Sequence, residues 1–249
     1  MKDNIILKTI DLSKNFGSLA ALDNVNLEFE YGKITSIIGL NGAGKTTLFN
    51  VVTGALKATK GKVIFEGNEI TDYPPHKIVK LGISRVFQIT NIFPELSVYE
   101  NVLTSFQVSR GLKLSSLFSK LKEMEGVTKI LEVLDLLDKK DLLANQLSYG
   151  EQRRLEAAIA LATNPKLLLM DEPTGGMTPL ESAQTMDFVK KIRDTLGLTI
   201  VFIEHDMDVV MRNSEHVVVM DKGRIICGGT PQEVSCDGKV REIYLGVTE

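Results

Sequence analysis

The sequence predicts an α/β fold: a mixed sheet core, an antiparallel β region near its start and an inserted helical region. Three observations carry this expectation. A continuous apolar strand, "KITSIIG" (33–39), runs directly into a glycine-rich loop, "GLNGAGKT" (39–46), placed to open a helix. In the last third, strands and helices alternate: "KLLLMD" (166–171), a helix near 180–195, "LTIVFIE" (198–204) and a short helix from Asp206. Such alternation belongs to a parallel sheet covered by helices. Between these regions, from Ser97 to Ala162, the periodicity is helical, with Ile130, Val133, Leu134 and Leu137 on one face.

The remaining elements follow from shorter patterns. "VNLEFEY" (25–31) alternates apolar and polar residues, as a half-buried strand does. "GKVIFEGNEI" (61–70) reads as a strand with a Gly-Asn turn, and "VVVMDKGRIIC" as a hairpin around Gly223. "LKLSSLFSKLKEM" (112–124) mixes Leu117, Phe118 and Leu121 with lysines, which suits a solvated helix or a membrane-facing one. No repeat or low-complexity tract divides the chain. The expected division is 1–88 and 160–230 as α/β core with its β region, 89–159 as helical region and 231–249 as a C-terminal tail.

Composition narrows the function. The 249 residues are 43% hydrophobic and 24% charged, an ordinary soluble globular make-up. A net charge of −3 lacks the basic excess of a nucleic-acid binder. The apolar runs are strand-length, short of the ~20 residues that span a bilayer. Asp3 and Asn4 interrupt any secretory signal, so the expected compartment is the cytoplasm. Cys227 and Cys236, in a late strand and a late loop, lack nearby histidines and read as structural bystanders.

The chemistry begins with "GLNGAGKT", which fits G-x-x-x-x-G-K-[ST]. Gly42 and Gly44 allow backbone N–H groups to approach phosphate oxygens, Lys45 offers an ammonium to the β- and γ-phosphates, and the Thr46 hydroxyl can ligate Mg²⁺. The pattern arises by chance in a chain this long roughly 1% of the time, so a nucleotide is expected here. Candidate contacts are Gly39, Asn41, Gly42, Ala43, Gly44, Lys45, Thr46 and Thr47.

"LLLMDEP" ends a buried strand with Asp171 and Glu172, at the sheet edge where open α/β folds bind ligands. Asp171 suits Mg²⁺, directly or through water; Glu172 is the candidate base for a water aimed at the γ-phosphate. The bland alternative is that both carboxylates cap the following helix. "FIEHD" repeats the arrangement, and His205 at its strand end is within plausible reach of the same phosphate; His76 and His216 are assigned no role. "QLSYGEQRR" (146–154) reads as a helix start capped by Ser148, a second anion site about a hundred residues beyond the first.

These residues together resemble a family. The phosphate loop, Gln88 in "SRVFQ", "LSYGEQ", "LLLMDEP" and His205, in this order, look like the ATP-binding cassette of an ABC transporter, over essentially the whole chain. The resemblance implies a P-loop NTPase fold, with Gln88 sensing Mg²⁺ and the membrane partner, His205 contacting the γ-phosphate and Phe16 in "KNFG" stacking on adenine; the alternative for Phe16 is a core phenylalanine. It also implies ATP and Mg²⁺ as ligands and head-to-tail pairing with a second cassette, identical or paralogous. Ser148 and Gly150 would then grip the neighbour's nucleotide.

The further implied partners are integral membrane permeases and, indirectly, a substrate-binding protein, with the chain peripheral on the cytoplasmic side of the inner membrane. Docking is expected near Gln88 and residues 89–110, where Ile92, Phe93 and Leu96 either meet a partner helix or are buried internally. Two positions depart from the common pattern: Tyr149 replaces a glycine, and "GGMT" (175–178) leaves Thr178 where many relatives have aspartate. "LSYGEQRRLEAA", "FIEHDMDVVM", "GISRVFQ" and the terminal "YLG" are similar to ATPase subunits of branched-chain amino-acid importers, a branch that also energises urea uptake and lipopolysaccharide export. The competing classes are a non-transport ABC ATPase and a P-loop kinase, which leaves "LSYGEQ" and His205 without work.

Overall fold

The protein's structure, a computed structural model, describes residues 4–86, 92–110 and 117–240, with the side chains of 108–110 and 117–123 set aside. Two long strands, β1 (Ile5–Phe16) and β2 (Leu19–Glu30), pair antiparallel across a tight turn, Phe16 opposite Leu19. After β3 (Ile34–Ile38) and α1 (Lys45–Val52), the chain returns to this sheet as β4 (Lys60–Phe65) and β5 (Asn68–Glu69), giving the antiparallel order β2-β1-β4-β5.

The alternation in "VNLEFEY" marks only the second half of β2. Asp11 and Asn24 take left-handed backbone angles (φ 47° and 52°), and Asn26 Oδ1 accepts the Asp11 N–H at 2.9 Å. These irregularities shift the register between Thr9 and Lys14, so the two-residue period is lost where the strand continues. The turn between β4 and β5 sits at Glu66 and Gly67, both at positive φ, one residue earlier than the Gly-Asn pair suggests.

The second sheet is the mixed one, in the order β10-β9-β3-β8-β7-β6. Its remaining strands are β6 (Ile83–Val86), β7 (Leu167–Asp171), β8 (Thr199–Ile203), β9 (His216–Asp221) and β10 (Arg224–Gly229). All run parallel except β10, which folds back on β9 through Lys222 and Gly223. Every residue of β3, β7 and β8 is buried, which is why each reads as an unbroken apolar run.

Successive strand side chains point to opposite faces, so the sheet has two cores. Ile37, Leu167, Leu169, Val201, Ile203 and Val218 pack with α1 and the antiparallel sheet. Ile38, Leu168, Met170, Ile200, Phe202 and Val217 pack under the helices. Those helices include α3 (Val98–Arg110), α4 (Leu117–Val133), α5 (Tyr149–Leu161) and α6 (Pro179–Leu196). Between β5 and β6 lies α2 (Pro75–Leu81); after β8 comes α7 (Met207–Asn213), and after β10 α8 (Pro231–Cys236).

The helical face beginning at Ile130 ends sooner than its spacing suggests. α4 stops at Val133, Asp135 turns left-handed (φ 52°), and Leu137 starts a 3-10 turn while still packing on the core. Residues 231–236 form α8, with Val234 buried, so Cys236 ends a helix rather than lying in a loop. Both cysteines are free thiols, and burial pushes the Cys227 thiol up. The expectations for residues 111–116, for the side chains of Leu117, Phe118 and Leu121, and for "YLG" lie outside the described residues.

Helix starts are built by side chains. Ser148 caps α5: its Oγ accepts the Glu151 N–H at 3.4 Å, and Glu151 Oε2 accepts the Ser148 N–H at 2.8 Å. Thr178 and Glu181 cap α6 in the same way, and Asp206 caps α7 by accepting the Asp208 N–H at 2.8 Å. The Lys139 ammonium and the Ser148 N–H together lower the Glu151 carboxyl to about 2.

Two measurements follow. Gly54 closes α1 at φ 72°, and a Cβ there would lie 2.1 Å from the Tyr73 carbonyl oxygen; Gly54→Ala is expected to lower unfolding stability by roughly 3 kcal/mol in urea titration. Because Glu151 is held below its ordinary 4.5, its contribution is present above that value and is lost as pH falls toward 2. The stability gap between the wild type and Glu151→Gln is therefore expected to be largest near neutral pH and to shrink through that acid window.

Candidate functional site

The ends of three parallel strands lie level to within one residue. Ile37 of β3 pairs with Ile203 of β8, and Ile203 with Asp171 of β7. One or two residues further on come the glycine-rich loop, Glu172, and the Glu204–His205 pair. Strands buried on both faces thus deliver an anion-binding loop, two carboxylates and an imidazole to one edge of the sheet.

The loop arches over α1. Gly44 caps that helix at φ 101°, and a Cβ there would come within 2.5 Å of the Ala21 carbonyl oxygen. Only glycine allows the loop to lie this close to β2. Lys45 is buried, and its Nζ donates to the Gly39 carbonyl at 2.6 Å and the Leu40 carbonyl at 3.1 Å. Burial pushes the Lys45 ammonium below its ordinary range; the Glu172 and Asp171 carboxylates act in the opposite direction.

A cleft of about 460 Å³ lies on this loop. Asn41, Gly42, Ala43, Gly44, Lys45, Thr46 and Thr47 line it together with Glu172 and His205. Phe16 also lines it at 48% exposure, with Lys14 Nζ 5.1 Å from its ring centroid, so it is not a core phenylalanine. The cleft also takes Leu19, Ala20 and Ala21 from β2 and Lys222 from the β9–β10 turn. Sequence reading missed these four, although a Lys-Gly turn at a sheet edge was visible in "DKG".

The two acidic residues behave differently. Asp171 is buried and forms an ion pair with Arg85 of β6, whose Nη1 donates to Asn50 Oδ1 at 2.6 Å. Glu172 has left-handed backbone (φ 46°), held by its N–H to the Ile203 carbonyl at 2.9 Å and by the Gly175 N–H to its own carbonyl at 3.0 Å. That geometry aims Glu172 at His205: Oε1 and Nε2 are 3.0 Å apart. Neither carboxylate caps α6, because Thr178 does, so the bland alternative fails on geometry.

Ser148 and Gly150 are exposed at the start of α5 and are not among the residues lining this cleft. Nothing lies within 4 Å of a Cβ built on Gly150. Tyr149 is half exposed beside it, its hydroxyl accepting from Arg153 Nε at 3.2 Å and Nη2 at 2.9 Å. Gln88 lies outside the described residues. Ile92 packs on the core and Leu96 is half-buried, while Phe93 is exposed. His76 falls on α2 and His216 at the start of β9, both away from the cleft.

Residues 22–175 match the family described as ABC transporter. The high-affinity branched-chain amino acid transport ATP-binding protein BraF of Pseudomonas aeruginosa is 37% identical, over 97% of this chain and 98% of its own. A solved ATP-binding cassette of an ABC transporter in its ADP conformation superposes with a TM-score of 0.86 at 37% identity, covering 98% of this chain and 99% of that one. The dimeric structure of a bacterial ABC transporter cassette matches at TM-score 0.77 and 28% identity, over 91% of this chain and 99% of that one. With a phosphate loop, acidic strand end and histidine gathered at one sheet edge, this chain belongs to the ABC transporter ATP-binding family.

Proposed function

We propose that the chain is the ATP-hydrolysing subunit of an importer for branched-chain amino acids. The observation that carries hydrolysis is the 3.0 Å contact of Glu172 with His205 in the lining of the phosphate-loop cleft. The cargo rests on similarity to BraF, which is named for branched-chain amino acid transport.

In this reading the loop N–H groups from Asn41 to Thr47 and the Lys45 ammonium hold the triphosphate, and Phe16 stacks on the base. Glu172 orients and deprotonates the attacking water, and His205 steadies the γ-phosphate. The available metal donors are hard oxygens, and among the described residues no group of three His, Cys, Asp or Glu could hold a metal alone. Such a set fits Mg²⁺ that arrives with phosphate oxygens. Thr46, Asp171 and Gln88 would hold it, and it supplies neutralisation of charge on the transferring phosphoryl group.

Ser148 and Gly150 lie outside their own chain's cleft, which supports their service to a second cassette, identical or paralogous. The partners are then that cassette, two membrane permeases and, through them, a substrate-binding protein. Among the described residues no helix is long and apolar enough to cross a membrane; in this reading the chain is a peripheral subunit on the cytoplasmic face of the inner membrane. The proposed division keeps 1–88 and 160–230 as the ATP-holding core, 89–159 as the helical part that carries Ser148, and 231–249 as the C-terminal segment.

Purified protein is expected to release phosphate from ATP with Mg²⁺ and to stop when EDTA removes it. Glu172→Gln should lose turnover by about a hundredfold or more yet retain ATP and elute as a dimer; wild-type turnover in that variant rules out Glu172 as base. Leucine uptake by vesicles carrying the permeases, driven by internal ATP, tests the cargo.

A further inference from the structure

Glu204 has no role in the reading above, yet it is 4% exposed and three donors converge on it. Its Oε1 accepts the Thr174 N–H at 2.9 Å and the Thr174 hydroxyl at 2.5 Å. Its Oε2 accepts the His205 N–H at 3.1 Å. Thr174 is also buried, two residues beyond Glu172 in the loop that leaves β7. The carboxylate therefore ties together the two loops that carry Glu172 and His205.

The side-chain contact between Glu172 and His205 closes a ring. From His205 it runs through Glu204 to Thr174, along the backbone to Glu172, and back across 3.0 Å to His205. Glu172 stands at φ 46°, a backbone region that costs an L-residue roughly 1 kcal/mol and needs its surroundings to hold it. A group accepting at both oxygens satisfies all three donors. An amide in its place would turn an N–H₂ toward either Thr174 or the His205 N–H and leave a buried donor unmet.

We propose that Glu204 is a positioning residue that sets the spacing of Glu172 and His205 by bolting the loop after β7 to the end of β8. It does not line the cleft; it acts through the pair. The inference rests on the proposed hydrolytic role of that pair for its kinetic consequence, but not for its geometric one.

The test uses the full chain and two readouts. Long-range ¹H–¹⁵N spectra of the nucleotide-free protein report its three histidines. Glu204→Gln is expected to shift the His205 ring signals and leave those of His76 and His216 in place. In ATPase assays the same variant should lose kcat by about tenfold with KM for ATP within about twofold, because orientation rather than binding is disturbed. Thr174→Val, which removes only the hydroxyl donor, should give a smaller loss in the same direction, and Thr174→Ser should restore it.

Unmoved His205 signals in a folded Glu204→Gln protein overturn the proposal. So does a rise in KM at constant kcat, or, should Glu204→Gln fail to fold, wild-type kcat in Thr174→Val. If Glu172→Gln and His205→Ala both hydrolyse ATP like the wild type, it is the assigned role of the pair that fails, and the spectra alone then decide the spacing.

Discussion

Everything chemical in this protein depends on the nearly level ending of three strands that have no solvent-facing side. β3, β7 and β8 are each five residues long and buried throughout; in the row Ile37–Ile203–Asp171, β7 and β8 stop together and β3 runs one residue further. A strand with a wet face has a polar side to lose to water. These strands have a core on each face, so sliding one by a residue would exchange side chains between two differently shaped layers. The edge is therefore rigid, and groups one or two residues beyond it inherit its precision.

That rigidity allows charge to be concentrated safely. Asp171, Glu172 and Glu204 stand together at the place where a triphosphate would approach, and three unpaired carboxylates would repel it. Each has its own partner. Arg85 pairs with Asp171, His205 meets Glu172, and Glu204 is satisfied by the Thr174 and His205 donors. Lys45 contributes in both directions, since the Asp171 and Glu172 carboxylates act to keep its ammonium charged despite burial. The edge thus gathers three carboxylates without presenting a bare acidic wall.

Much of this was legible in residue order, and the illegible part has a physical pattern. The buried strands, the phosphate loop and the α5 cap announce themselves because they are local: an apolar run, a glycine spacing, a Ser-x-x-Glu box. β1 and the first half of β2 did not, because their bulges at Asp11 and Asn24 break the period that a reader relies on. Arg85 and Glu204 were equally hidden. Each acts on a residue far away in the chain, Arg85 on Asp171 of β7 and Glu204 on Thr174 in the loop after it, and pairing of that range leaves no mark in local sequence. Phe16 could be a core residue or a surface ring until its exposure decided the matter.

The start of α5 bears on why the sequence offers two candidate anion sites. A helix N-terminus attracts anions through its free N–H groups and dipole, yet here Glu151 occupies the first turn and takes the Ser148 N–H for itself. Lys139 draws on the same carboxylate, so the negative charge is largely cancelled. What stays open is the strip over Gly150, where even a Cβ would meet nothing. That strip is not part of the lining of the chain's own cleft, which is the ground for proposing that it serves a second cassette. On the proposed function, a ligand held by both is shared, and nucleotide is the adhesive between two cassettes. Cleavage would then remove the bond proposed for α5, and the chemistry at one sheet edge would become movement between two proteins.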